Sequence, residues 1–96
     1  MLTVTAHIKA KKGLEETLRK ELLALIEPTR SETGCIRYDL YHDYDDKSLF
    51  MFFESWEKKS DLEQHLQKPH IKSFMDKTDA LLAEPVSIAL WEKVGG

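Results

Sequence analysis

Apolar positions change period several times along this chain. Residues 2–10 alternate, with Leu2, Val4, Ala6 and Ile8 on one face and Thr3, Thr5, His7 and Lys9 on the other, the period-2 signature of a strand. Gly13 ends it. Leu14, Leu18, Leu22, Leu25 and Ile26 then recur at helical spacing, with Glu15, Glu16, Arg19 and Lys20 between them, which predicts an amphipathic helix. Pro28 lacks an amide donor, so it is expected to kink that helix or mark a second short turn. Gly34 is the expected stop. Residues 35–43 read as a second strand with Ile36, Tyr38, Leu40 and His42 on one face. The polar run DYDDK reads as a turn, so the stretch SLFMFFESW, from Ser48 to Trp56, is expected to return as a hairpin partner.

A second helix is expected to start near Ser60, where Ser60 and Glu63 have capping-box spacing. Leu62, His65 and Leu66 lie on one side of it. Pro69 interrupts it and pushes Lys68 away from helical angles. A further helix is expected from about His70, with Ile71, Phe74, Met75, Thr78, Leu81 and Leu82 inward, closed by Pro85. VSIALWEKV reads as a last strand. The order β-α-β-β-α-β predicts an α+β, ferredoxin-like arrangement, an antiparallel sheet with helices on one face. No repeat, low-complexity tract or linker divides it, and 96 residues fit a single domain, 1–96.

The third strand adds a deduction. Leu49 through Phe53 are five apolar residues in succession, so this strand is apolar on both faces rather than alternating. Two helices cover only one face of a sheet, and a chain this short has no second sheet to offer. A second copy is the simplest cover, and a symmetric homodimer with its sheets face to face is expected.

Charge narrows the partners. The formal net charge of -3 provides no general basic field for nucleic acid. Lys9, Lys11 and Lys12 are followed at once by Glu15 and Glu16, which reads as a solvated strand end rather than a phosphate patch. The opening MLTVTAHIKAKKG has no charged start, long apolar run or small-residue cleavage site, so it is not expected to act as a signal peptide. No segment reaches the ~20 apolar residues that span a bilayer. No membrane partner and a cytoplasmic location are expected. Cys35 is alone, so no internal disulfide is available, and it reads as a small buried hydrophobe.

The richest chemistry lies in ESWEKKSDLEQHLQKPH, Glu54 to His70. By period-2 geometry Phe50, Phe52, Glu54 and Trp56 share one strand face. His65 is on the apolar side of the following helix and His70 follows its break. If the helices cover that strand face, these groups converge in an aromatic-lined space suited to a flat organic substrate.

With these residues in view, the chain resembles the antibiotic biosynthesis monooxygenase superfamily, above all its small bacterial quinol monooxygenase-like members. The resemblance rests on the segments MLTVTAHIKAKKG, TRSETGCIRYDLY and FESWEKKSDLEQHLQKPHIKSF. Its ordered residues are Gly34, Cys35, Tyr38, Glu54, Trp56, His65, Pro69 and His70. It implies a dimeric ferredoxin-like α+β barrel with a pocket between sheet and helices in each protomer. It also implies oxidation of a quinol or polyphenolic aromatic by molecular oxygen with no cofactor, neither metal nor flavin. The substrate supplies the electrons, and the protein deprotonates it, keeps it dry and stabilises the anion. Two positions depart from relatives. Some monooxygenase members carry Asn four residues before the Trp, where this chain has Phe52. Heme-degrading members carry Asn on the first strand, where this chain has Ala6, which argues against heme.

Each candidate also has a plainer reading. His65 is a general base or a satisfied core histidine. His70 is polar support for the site or a backbone-bonding group at the next helix. Trp56 and Phe52 are substrate-stacking wall or simple core. Glu54 pairs with a Lys or Arg, or acts as a tuned acid partner for a histidine. Tyr38 and His42 are weaker pocket candidates, and His7 falls on the polar face of the first strand. A metal site is disfavoured. The two histidines are spaced i, i+5 across a helix break rather than i, i+4, and nothing in the sequence fixes Glu54 as a third ligand. Two other functions remain open. An isomerase or processing enzyme for a small phosphorylated signal needs inward cations. A dimeric binding module for small aromatics needs no turnover.

Overall fold

The computed structural model describes all 96 residues. The chain runs β1 (Leu2–Lys9), α1 (Glu15–Leu23), α2 (Ile26–Arg30), β2 (Cys35–His42), β3 (Leu49–Trp56), α3 (Lys59–His65), α4 (Pro69–Met75), α5 (Thr78–Leu81) and β4 (Ser87–Trp91). The four strands form one sheet in the order β2-β3-β1-β4, and every pairing is antiparallel. This is the ferredoxin-like α+β fold, with all helices on one face. No helix is long and apolar enough to cross a membrane.

The period-2 pattern decides which face the helices cover. Val4, Ala6 and Ile8 of β1 and Phe50, Phe52 and Trp56 of β3 are buried, together with Leu18 and Leu22 of α1 and Leu62, Ile71 and Phe74 of α3 and α4. Leu49, Met51 and Phe53 point the other way and stay partly exposed. His7 stands opposite Met51 on that outer face, as its place on the polar side of β1 requires. Trp91 also lies there, donating from Nε1 to Thr5 Oγ1 at 2.9 Å.

Two of the three prolines act as helix starters. Pro28 occupies the third position of α2, where its missing amide has no intrahelical partner to lose. Pro69 is the first residue of α4, and Lys68 before it is extended, with ψ of 146°. The predicted helix from His70 to Leu82 divides into α4 and α5, and Met75 is turned outward.

Two local expectations are corrected. The Ser60–Glu63 capping box does not form. The N-cap falls two residues earlier, at Lys58, with no side-chain cap, which leaves Ser60 inside the helix. Ile36 does not share a face with Tyr38. The β2–β3 register shifts between Cys35 and Arg37, so a bulge inserts a residue and reverses the alternation before it. Cys35 turns toward the core and Ile36 toward solvent. Gly34, just before the bulge, has φ of +81° and sits so close to Asp61 of α3 that a Cβ there would collide with the Asp61 side chain. That close approach brings the loop after α2 against α3, with consequences for the site.

Candidate functional site

Three elements build the site on the helix-covered face. β3 projects Phe52, Glu54 and Trp56 in one row because alternate residues share a face. β2 adds Tyr38, opposite Glu54 in the register, with its ring stacked on Phe52 at 4.4 Å between centroids. α3 adds His65 in its last turn, on the inner side with Leu62. The His65 ring lies 4.8 Å from Trp56 and 5.5 Å from Tyr38, centroid to centroid. Tyr38, Phe52, Glu54 and His65 border a small cavity of about 50 Å³, also walled by Ala6, Ile8, Ile71 and Phe74. Trp56, fully buried, packs against His65 and is not part of the lining, so the expected stacking wall is core at that position.

The residue that organises the site is Glu32, in the loop that Gly34 presses against α3. Its side chain is only 6% exposed. Oε2 accepts from His65 Nδ1 at 2.9 Å and from His70 Nε2 at 2.7 Å. The break at Lys68–Pro69 makes this possible: α4 starts in a new direction and carries His70 back beside His65. Thr29 of α2, fully buried, places Oγ1 3.3 Å from His70 Nε2.

An ionised carboxylate only accepts, so His65 carries its proton on Nδ1. Burial holds the pKa of His65 below its ordinary value, and the neighbouring Glu32 carboxylate opposes that shift without cancelling it. The ring is therefore neutral at pH 7, with its Nε2 lone pair left for the cavity. This is the protonation state of a base.

Glu54 is not paired to a Lys or Arg, nor bonded to a histidine. It accepts from Trp56 Nε1 at 2.9 Å, two residues along the same strand face. Burial pushes its pKa up to about 7, against the Trp56 N–H, which lowers it. Glu54 thus exchanges its proton near neutrality. Tyr38 has its phenol held far above the usual range by burial and stays protonated. Cys35 is half-buried, with its thiol pushed up to about 11 by the same cause, so it has no thiolate character.

The structure thus brings together Tyr38, Phe52, Glu54 and His65 around the cavity, with Trp56 packed against His65 outside the lining and His70 joined to His65 through Glu32. It does not bring His42 to them. His42 ends β2, exposed, beside Phe50. Sequence reasoning missed Glu32. A glutamate in a polar turn before a glycine reads as surface, and no periodicity marks it. It stands in the TRSETGC segment that carries the family resemblance, and that was the one available signal.

The mouth of the cavity is apolar. Leu66, Met75 and Ile88 border it and are 38%, 47% and 45% exposed. No Lys or Arg lines the space. At about 50 Å³ it is smaller than the ~150 Å³ cavity that accepts benzene, so a ring enters only as these side chains rotate aside. Met75 is suited to that by its flexible thioether.

The sequence profile of a family described as antibiotic biosynthesis monooxygenase matches residues 1–77. An uncharacterized Synechocystis protein is 36% identical over 91 residues, covering 95% of this chain; the chain spans only 62% of that protein's length. A Mycobacterium tuberculosis protein named "Putative monooxygenase Rv0793" is 33% identical over 89 residues, covering 93% of this chain and 87% of its own. Among solved structures, PA3566 of Pseudomonas aeruginosa matches with a TM-score of 0.92 at 38% identity, over 98% of this chain and 94% of its own.

Proposed function

The chain belongs to the antibiotic biosynthesis monooxygenase family, and on that premise we propose that it is a monooxygenase that oxidises a quinol or polyphenolic aromatic with molecular oxygen and no cofactor. The observation that carries this reading is His65: a buried, neutral imidazole anchored through Nδ1 by Glu32, bordering an aromatic-walled cavity.

In the proposed reaction a substrate hydroxyl gives its proton to His65 Nε2. The resulting anion is electron-rich enough to react with dioxygen directly. One oxygen atom is incorporated and the other leaves as water, so that a quinol plus dioxygen becomes a hydroxyquinone plus water. All the electrons come from the substrate. Tyr38 and Phe52 form the flat walls, while Trp56 packs against His65 and donates to Glu54. Glu54, with a pKa of about 7, is placed to return a proton to the reduced oxygen. The exclusion of water by the apolar lining strengthens each of these electrostatic effects.

Two further points support the reading. The lining lacks any cation to neutralise a phosphate, which disfavours a phosphorylated signal as substrate. Leu49, Met51 and Phe53 lie partly exposed on the open sheet face, in keeping with a homodimer that packs sheet against sheet.

The test is oxygen uptake with a panel of quinols, followed by mass spectrometry of product made under isotopically heavy dioxygen. Substrate-dependent uptake with one heavy atom in the product is expected. Uptake without incorporation would make the protein an oxidase. Saturable quinol binding with no uptake would make it a binding module.

A further inference from the structure

The base reading uses only part of what Glu32, His65 and His70 offer. Glu32 Oε2 lies 2.9 Å from His65 Nδ1 and 2.7 Å from His70 Nε2, and the ligand-capable atoms of the three residues all fall within 4.8 Å of one another. The Glu32 side chain is 6% exposed, and its ion-pairing partners are these two histidines, with no Lys or Arg. A buried carboxylate without a permanent counter-charge is costly, and a cation relieves that cost.

Two imidazoles and one carboxylate are a donor set that zinc and other divalent transition metals take. Tetrahedral ligands each ~2.1 Å from a shared ion are ~3.4 Å apart. Both carboxylate-to-imidazole distances, 2.9 and 2.7 Å, are somewhat shorter, so an ion entering between them spreads the carboxylate and each ring apart by less than ~1 Å. The wider spacing between the two histidines closes by rotation of His70. That side chain is 22% exposed, which also gives an ion its route in.

We propose that Glu32, His65 and His70 form a binding site for a divalent transition-metal ion of the Zn²⁺ type, and that filling it switches the base off. The second half rests on the reading of His65 as base and follows from imidazole chemistry. A neutral imidazole has one N–H and one lone pair. A metal on Nδ1 takes the lone pair there, so the ring proton moves to Nε2. The cavity then faces an N–H donor where a lone pair stood, and His65 no longer accepts a proton from substrate. His70 likewise moves its proton from Nε2 to Nδ1. Both rings remain neutral, and Glu32 supplies the one formal negative charge.

The full chain, treated with chelator and then freed of it, is titrated with ZnCl₂ by calorimetry and with CoCl₂ by visible absorption. Saturable binding of about one ion per chain is expected, with affinity lowered at least ~10-fold in both Glu32→Gln and His70→Ala. On the unmodified chain, Zn²⁺ is expected to move the ring ¹⁵N signals of His65 to the Nε2–H tautomer, and to suppress oxygen uptake in step with occupancy. Absence of saturable binding overturns the site, as does binding that both substitutions leave unchanged. If a variant does not fold, the ¹⁵N signals of the unmodified chain decide alone, and a His65 tautomer unmoved at saturation overturns the proposal. Binding with normal turnover overturns the switch and leaves the site. Should no quinol be turned over, calorimetry and the ¹⁵N signals still decide the metal site, so its failure is separable from failure of the monooxygenase reading.

Discussion

Glu32 Oε2 accepts from His65 Nδ1 at 2.9 Å across 33 positions of sequence. This contact fixes the tautomer and the direction of the histidine. Glu32→Gln keeps the shape of the carboxylate but adds an NH₂ group that has no acceptor among two N–H donors. Turnover per folded molecule is expected to fall by roughly 10²-fold, the scale of general-base catalysis. Steady-state oxygen uptake checks it, and an unchanged rate would remove Glu32 from the mechanism.

His65→Ala is expected to show two effects at once. The residue is both cavity-lining and buried, so the substitution costs ~1–3 kcal/mol of stability by leaving a polar partner short of a bond. It also lowers turnover by roughly 10²-fold or more. Denaturant melts and oxygen uptake on the same preparation separate the two. A stability loss with unchanged turnover per folded molecule would retire His65 as the base and leave Trp56, Glu54 and His70 as the candidates.

Glu54 gives the fold a pH dependence with a defined sign. Its folded pKa is raised from 4.5 to about 7, so between those values the folded chain holds a proton that the unfolded chain releases. Stability is therefore lost as pH rises through this window, by up to ~3 kcal/mol at 1.36 kcal/mol per pKa unit. His65, with its pKa lowered, acts oppositely below its ordinary pKa of 6.5 and cancels when variant and parent are compared at one pH. Glu54→Gln keeps an acceptor for Trp56 and cannot ionise. It is expected to match the parent near pH 4 and to exceed it in stability at pH 8.5. Urea unfolding at both values decides; equal stability at pH 8.5 contradicts the raised pKa.

The open sheet face sets the expected assembly. Leu49, Met51 and Phe53 are its apolar centre, and Arg37 lies 4.5 Å over the Phe53 ring. A dimer is expected by light scattering at micromolar concentration. Met51→Glu, which places a charge at the centre of that face, is expected to shift the protein to monomer. A monomeric parent would sink the dimer.

Turnover is expected to persist after exhaustive chelation, and the purified protein to show no visible absorption band. Loss of activity on chelation with recovery on adding a metal would replace the cofactor-independent mechanism with a metal-dependent one.

Most of the architecture was legible from the sequence. The alternation at residues 2–10, the helical spacing of Leu14, Leu18 and Leu22, and the apolar run at 49–53 report local burial, and local burial is what hydrophobic periodicity encodes. The row of Phe52, Glu54 and Trp56 was legible for the same reason, since a strand's geometry alone places alternate residues together. His65 on the inner side of its helix was legible from its spacing to Leu62. The bulge at Ile36 was not, because it depends on how β2 meets β3 rather than on either strand. The partner of His65 was least legible of all. Glu54, Glu32 and the other acidic residues look alike in sequence, and only three-dimensional proximity distinguishes them. The close contact of Gly34 with Asp61 and the change of direction at Pro69 fold two distant segments onto one carboxylate. A hydrogen bond depends on distance through space, which no local period records, so the local pattern was enough for the sheet, the helices and the aromatic row of β3, whereas the anchoring of His65 and His70 by Glu32 exists only once the distant segments are folded together.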